Sequence, residues 1–174
     1  YYKGVDIQIG NYREYTDGTL APHIIGVTGV ISAEEYAELK KDGYGMDDIV
    51  GKTGIEHLFE KQLKGKNGTK LVTTALDGTQ TTVTKGLENG DNVFLTLDAG
   101  LQKVTQDALA AKINSLDSAN KGGGAAVVMN CKTGEILSIA TYPSYDLNTY
   151  YKNYSKLAKD SNSPLYNRAR LSTY

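Results

Sequence analysis

The chain has 174 residues, a formal net charge of −1, 40% hydrophobic residues and 22% charged residues. This length is typical of one ordinary domain or two small ones, and the composition is that of a globular protein. The balance of 19 basic and 20 acidic residues excludes the basic excess of an electrostatic nucleic-acid binder. The longest apolar run, residues 125–129, is too short to cross a bilayer, and nothing near Tyr1 resembles a signal peptide.

Two helices are predicted in the first half of the chain from their N-terminal capping residues. Ser32 and Glu35 have the spacing of a capping box, in which each side chain bonds the backbone of the other residue. This box predicts a helix over residues 33–42. Thr53 and Glu56 have the same spacing and predict a second capped helix, whose apolar residues repeat at helical spacing. The glycines expected to end these two helices are Gly43 and Gly65.

The remaining patterns of the first half predict strands. Residues 5–9 alternate between apolar and polar and predict a short strand. Asp77 and Gly78 separate two β-branched runs, which is the strongest short-range signal of a β-hairpin and predicts one over residues 70–84. The polar connector at residues 86–91 is the best candidate for a domain boundary.

The second half is more regular. Residues 93–97 predict a short strand, and Asp98 is expected to cap a long helix. Residues 125–130 and 135–141 predict a second hairpin, and the polar remainder, residues 142–174, predicts at most short helices. Helices and strands are mixed without a βαβ rhythm, so the sequence favours an α+β fold. The apolar stripe expected on the long helix consists of Leu101, Val104, Ala108, Leu109, Ile113 and Leu116.

Short motifs imitate the catalytic set of serine β-lactamases and penicillin-binding proteins. Ser-x-x-Lys occurs at Ser118 and Lys121, and Lys-Thr-Gly occurs at residues 52–54 and 132–134. The catalytic serine must begin a buried helix, but three glycines follow Lys121 and prevent a helix from starting there. One Lys-Thr-Gly copy is expected to cap a helix and the other to form a hairpin tip. We therefore interpret none of the three as catalytic.

Other reactive residues have ordinary structural explanations. Gly51-Lys52-Thr53 resembles the end of a phosphate-binding loop, but Met46 stands where that loop needs a glycine. His23 is expected to be structural, since no nucleophile with a supporting carboxylate is suggested near it. The single cysteine, Cys131, is expected to be an incidental thiol in a turn, and two histidines leave little for a zinc site. The sequence thus predicts no catalytic, cofactor-binding or metal-binding residue.

Tyrosines are unusually abundant, with 13 in the chain against 2 phenylalanines and no tryptophan. Five of them fall within residues 142–154, and one interpretation is a surface on which sugars or bases stack. The favoured interpretation is a set of half-buried rings whose hydroxyls reach water. The five residues, called the tyrosine cluster below, are Tyr142, Tyr145, Tyr150, Tyr151 and Tyr154.

Seven segments carry a family resemblance that spans nearly the whole chain. They are DGTLAPHIIG at 17–26, VGKTGIE at 50–56, NVFLTLD at 92–98 followed by Leu101-Gln102, GAAVVM at 124–129, TGEIL at 133–137, YPSYDLN at 142–148 and PLYNRA at 164–169. In this order they resemble class B penicillin-binding proteins. The departures are small: residues 15–18 differ from the usual sequence of the family, and Pro22 stands where the family often has alanine. Both lie in a loop.

The resemblance implies a fold and a division of the chain. Residues 1–90 are expected to form the dimerisation or pedestal domain, and residues 91–174 the N-terminal part of the transpeptidase domain. The expected fold is α+β, a small mixed pedestal domain followed by an incomplete start of the transpeptidase α/β sandwich. In the family, a segment like Arg168-Ala169 precedes the nucleophile motif, so the chain is expected to be truncated before that motif.

The resemblance also implies a function. The parent is expected to be a bacterial cell-wall D,D-transpeptidase that penicillin traps, and this chain a non-catalytic structural and interaction fragment of it. The expected partners are the rest of its own transpeptidase domain, other cell-wall synthesis or division proteins, and a second copy pairing at an unpaired sheet edge. The expected location is the extracytoplasmic face of the bacterial membrane, with the parent anchored by an N-terminal helix absent here and this chain itself soluble.

Two alternatives from other classes remain open at this stage. One is a peptidoglycan- or glycan-binding module that uses the tyrosine cluster, Tyr142 to Tyr154. The other is a small acyltransferase that uses Ser118 and Lys121.

Overall fold

The computed structural model describes residues 13–66, 68–74, 78, 80–86, 88–117 and 122–171. The N-terminal half, residues 13–90, contains α1 (Pro22–Ile25), β1 (Thr28–Val30), α2 (Ala33–Leu39), β2 (Ile49–Gly51), α3 (Gly54–Leu58), α4 (Glu60–Lys64), β3 (Thr69–Thr74) and β4 (Gln80–Lys85). The C-terminal half, residues 91–171, contains α5 (Ala99–Asn114), β5 (Gly124–Met129), β6 (Ile136–Tyr142), α6 (Tyr150–Lys159) and α7 (Arg168–Leu171). The strand predicted at residues 5–9 and the motif at residues 118–121 lie outside the described residues.

The described strands form three antiparallel pairs. β1 pairs with β2, β3 with β4, and β5 with β6. The β3–β4 pair runs from Thr69 opposite Lys85 to Thr74 opposite Gln80, which confirms the first predicted hairpin. The β5–β6 pair begins with Gly124 opposite Tyr142 and confirms the second. Helices and small sheets alternate along the chain, as predicted for an α+β fold.

The first predicted capping box is present and the second is not. The Ser32 backbone N–H donates to the Glu35 carboxylate at 2.7 Å, and the Glu35 N–H donates to the Ser32 hydroxyl at 3.2 Å. Thr53 precedes α3 but makes no capping bond there. Its hydroxyl instead accepts the Val27 N–H at 3.1 Å, and the Glu56 side chain is buried. The prediction of the second capping box was wrong because the Thr53 hydroxyl bonds the backbone of a neighbouring segment.

Two other predicted elements differ from the structure. The helix expected to run from Thr53 to Gly65 is divided at Phe59 into α3 and α4. Residues 93–97 form no strand, because only the Thr96 side chain bonds β6, through the Ile136 carbonyl at 2.7 Å. Phe94, in the predicted strand, is 91% exposed, so none of the described residues covers its ring.

Each half has its own small core. In the N-terminal half, Ile31, Tyr44 and Val50 are buried together. In the C-terminal half, α5 packs on the β5–β6 pair, and its buried residues are Gln102 and Ile113. Asp98 caps α5 as predicted, accepting the Leu101 N–H at 2.7 Å.

The predicted apolar stripe of α5 was only partly right. Val104 is 65% exposed, whereas the polar Gln102 is among the most deeply buried residues. The helix is therefore rotated so that an amide, and not Val104, faces the sheet.

The last described segment is more helical than predicted. The helix α6 has ten residues, so the expectation of at most short helices was wrong there. None of the helices in the described ranges has both the length and the apolar character needed to cross a membrane.

Candidate functional site

The two halves meet along residues 15–28, which we call the docking segment. The Asn148 side chain holds the Tyr15 backbone from both sides, donating to its carbonyl at 2.8 Å and accepting its N–H at 3.3 Å. The Leu147 N–H donates to the Gly18 carbonyl at 2.9 Å. A side chain at Gly18 would overlap the Asp146 carboxylate, so the close approach requires glycine. The docking segment is thus joined to the C-terminal half by directed polar contacts.

Two glutamines of α5 continue this contact. Gln106 accepts the Ala21 N–H at 2.9 Å and donates to the Thr19 carbonyl at 2.9 Å. Gln102 donates to Gln106 at 2.8 Å and bonds β6 on its other side. Neither residue was predicted from the sequence as part of a site, although Gln102 belongs to one of the segments that carry the family resemblance. The signal that could have identified Gln102 was a polar residue at a core-facing position of a capped helix.

His23 lies in this contact and has a structural environment. Its Nε2–H donates to the Pro164 carbonyl at 2.8 Å, and its ring meets the edge of Tyr145 with centroids 4.9 Å apart. Burial lowers the pKa of His23; the bond to Pro164 opposes this shift and the charge of Arg168 reinforces it. The ring is therefore kept neutral, which suits a packing role.

The tyrosine cluster turns much of its polar surface inward. Tyr150 packs against Tyr145, Tyr151 and Tyr154 in tilted or edge-on arrangements, with centroids 5.2 to 5.5 Å apart. The Tyr145 hydroxyl donates to the Pro22 carbonyl at 3.3 Å, and the Tyr151 hydroxyl to the Thr28 carbonyl at 2.6 Å. Burial raises the pKa of Tyr145 to about 12. These two hydroxyls bond the docking segment, while Tyr151 and Tyr154 remain 62% and 49% exposed.

Neither Lys-Thr-Gly copy lies on a strand. Lys52 forms an ion pair with Glu35, and Gly54 begins α3 with a φ of 61°. The copy at residues 132–134 is exposed at the β5–β6 tip, where the Thr133 hydroxyl donates to Glu135 at 2.7 Å. Cys131 is exposed at the same tip.

A carboxylate cluster in the N-terminal half was not found from the sequence. Glu60 accepts the Gly51 N–H at 2.7 Å and the Tyr44 hydroxyl at 3.2 Å. Lys64 lies 3.2 Å from the Tyr44 ring centroid and pairs with Asp48 at 2.5 Å. Burial and the neighbouring Glu60 raise the pKa of Tyr44. Asp48 is therefore part of a structural network that joins β2 to α4.

Glu56 is a buried acid in the same half of the chain. Its carboxylate lies 3.0 Å from the Arg13 guanidinium. Burial raises the pKa of Glu56, and Arg13 opposes this shift. Across the described ranges, His, Cys, Asp and Glu side chains nowhere gather in a group of three or more that could hold a metal ion.

The geometry is that of a docked structural module, and comparison with known proteins agrees. The family model of the penicillin-binding protein dimerisation domain matches residues 1–95. The chain belongs to this penicillin-binding protein family. Peptidoglycan D,D-transpeptidase MrdA of Acinetobacter baumannii is 32% identical over 180 residues, which cover 99% of the chain and 25% of that relative.

Solved structures of penicillin-binding proteins show the same fold. In the complex between penicillin-binding protein PBP2 and MreC from Helicobacter pylori, the matching chain is 33% identical with a TM-score of 0.65, covering 89% of this chain and 28% of that one. A chain of a peptidoglycan synthase complex is 29% identical with a TM-score of 0.65, covering 88% of this chain and 28% of that one. The chain thus spans about a quarter of the length of these penicillin-binding proteins. The class B resemblance and the α+β fold are confirmed.

Proposed function

We propose that the chain is a non-catalytic structural and interaction region of a bacterial peptidoglycan D,D-transpeptidase. The observation that carries this proposal is the likeness to a D,D-transpeptidase over 99% of the chain, together with the dimerisation-domain match. We further propose that residues 1–90 form the pedestal domain and residues 91–174 the start of the transpeptidase domain. The separate small cores of the two halves support this division.

We assign no catalytic, cofactor-binding or metal-binding residue to the chain. Neither Lys-Thr-Gly copy lies on a strand: Lys52 precedes α3 and pairs with Glu35, and residues 132–134 form an exposed turn. The parent's chemistry is thus expected to depend on other residues.

The outer edge of β5 is the surface we propose for the rest of the transpeptidase domain. Gln102 bonds both the N–H and the C=O of Ile139, so these groups point away from β5. Ile139 lies opposite Val127, and in an antiparallel pair of this type the backbone groups of both residues point outward. Among the described residues, no third strand pairs with the outward groups of Val127.

The edge of β6 differs from that of β5. Gln102 occupies it at Ile139, and the Asp98 N–H donates to the Leu137 carbonyl at 2.9 Å. Of the two edges of this sheet, the described residues bond that of β6 and leave that of β5 for another strand. In the chain alone we expect a second copy to pair there, because open strand edges promote association.

Sedimentation of a charged edge variant tests this surface. Val127 is 50% exposed, and Val127→Lys places a charge beside the open edge. Val104→Lys places the same charge on the outer face of α5 and is the matched control. We expect the chain and Val104→Lys to associate with rising concentration and Val127→Lys to remain monomeric. The proposal is contradicted if the unsubstituted chain is monomeric, or if this chain and the two variants associate equally.

We propose that the N-terminal half contacts other cell-wall proteins on the extracytoplasmic face of the membrane. Support comes from the neighbours, since one is a complex with MreC and another a peptidoglycan synthase complex. The hairpin at residues 70–84 and the helices α2 to α4 are the proposed surface. Beside them, Val30 and Ile49 form an exposed apolar cross-strand pair.

The glycan-binding alternative is favoured only by the exposed rings of Tyr151 and Tyr154. Titration with soluble muropeptides separates the two functions. We expect no saturable binding. Binding that Tyr154→Ala removes while the fold is kept would favour the glycan-binding module.

A further inference from the structure

The two glutamines of α5 form a continuous hydrogen-bonded path between the halves. At one end, Gln106 bonds the backbone of Thr19 and Ala21 in the docking segment. At the other end, Gln102 bonds the backbone of Ile139 in β6. The direct bond from Gln102 to Gln106 closes the path.

The Gln102 amide has a single possible orientation. Its oxygen accepts from the Ile139 N–H at 2.8 Å and the Ser138 hydroxyl at 3.0 Å. Its nitrogen donates to the Ile139 carbonyl at 2.9 Å and to Gln106 at 2.8 Å. Turning the amide over would set its nitrogen against the Ile139 N–H and its oxygen against the Ile139 carbonyl. With 1% of its surface exposed, Gln102 has no water to replace a lost partner, so a change at Gln106 reaches β6.

Where the path ends in the docking segment, the backbone is strained. Ala21 has a φ of 45°, in the left-handed region that a residue with a Cβ rarely adopts. Such a conformation persists only where surrounding contacts impose it. The Gln106 side chain accepts the Ala21 N–H and is one of these contacts. Loss of the Gln106 bond is therefore expected to release Ala21 from this conformation.

We propose that Gln102 and Gln106 couple the position of the docking segment to the order of β6. A partner that shifts the N-terminal half would then loosen or tighten the sheet of the C-terminal half through this pair. The identity of such a partner rests on the proposed function. The coupling itself is a property of the chain and is tested without any partner.

Hydrogen exchange with two variants tests the coupling in the full chain. Asp17 accepts from the Thr19 N–H at 3.0 Å and from its hydroxyl at 2.6 Å, so Asp17→Ala loosens the docking segment without removing a hydrogen bond to α5 or β6. Gln106→Met interrupts the path. We expect Asp17→Ala to raise exchange at the Ile139 amide about fivefold, the equivalent of one net hydrogen bond. The same substitution made in the Gln106→Met background should raise it no further.

Controls separate coupling from general destabilisation. The amide of Val50, in the N-terminal core, serves as the reference for global unfolding. Val104→Met places the same new side chain on the exposed face of α5 and should leave the response to Asp17→Ala intact. The proposal is overturned if Asp17→Ala leaves Ile139 unchanged relative to Val50. It is also overturned if the response is equal with and without Gln106.

Discussion

Replacement of Gln102 by methionine is the most informative perturbation of the fold. The two side chains have similar volume, so the change removes the amide without opening a large cavity. Four hydrogen bonds are lost, and the partly buried N–H and C=O of Ile139 and the buried Ser138 hydroxyl lose this partner. A buried polar group without a partner costs about 1–3 kcal/mol and a partly buried one less, so the three together predict a loss of about 4 kcal/mol.

Urea denaturation followed by circular dichroism measures this loss. With a denaturant dependence of about 2 kcal/mol per molar, the midpoint should fall by about 2 M. Val104→Met puts the same side chain on the exposed face of the helix and should change stability by less than about 0.5 kcal/mol. A midpoint shift below about 0.5 M for Gln102→Met would refute the role assigned to this amide.

Three further predictions concern other parts of the fold. Gly51→Ala should lower the melting temperature sharply, because its Cβ would overlap the Glu56 carbonyl, whereas Gly45→Ala, whose nearest contact is a carboxylate oxygen at 3.5 Å, should not. Ser32→Ala removes the capping hydroxyl of α2 and should cost about 1 kcal/mol in chemical denaturation; no loss would contradict the capping role. Burial lowers the pKa of His23, so the unfolded chain binds the proton first as pH falls below the ordinary value of 6.5. Stability should therefore fall with pH in that range, and less steeply in His23→Asn; equal slopes would contradict a buried neutral ring.

Several local signals predicted the local structure correctly. The Asp98 cap of α5, the Ser32 box and both hairpins involve residues close together in the chain, so their spacing contains the necessary information. The family resemblance added information that spacing alone could not give, namely the family to which the chain belongs. It depended on many segments in order, each weak alone.

Contacts between distant residues could not be predicted in this way. Thr53 had the spacing of a capping residue, but Val27 lies close to it in space and donates its N–H to the Thr53 hydroxyl. Gln102 was passed over as polar, yet β6 offers an N–H and a C=O that match its amide. The candidate site is composed mainly of such contacts, which explains why the sequence indicated the tyrosines but not their backbone acceptors.

The most direct test of the central claim is intact-mass measurement after incubation with a fluorescent penicillin. We assign no catalytic serine to this chain, so we expect no mass increase and no fluorescence on the protein band. The heat-denatured chain provides the background of non-specific labelling. A stoichiometric adduct on any serine of the folded chain, Ser118 included, would contradict the account and make the chain an acyl-transfer enzyme.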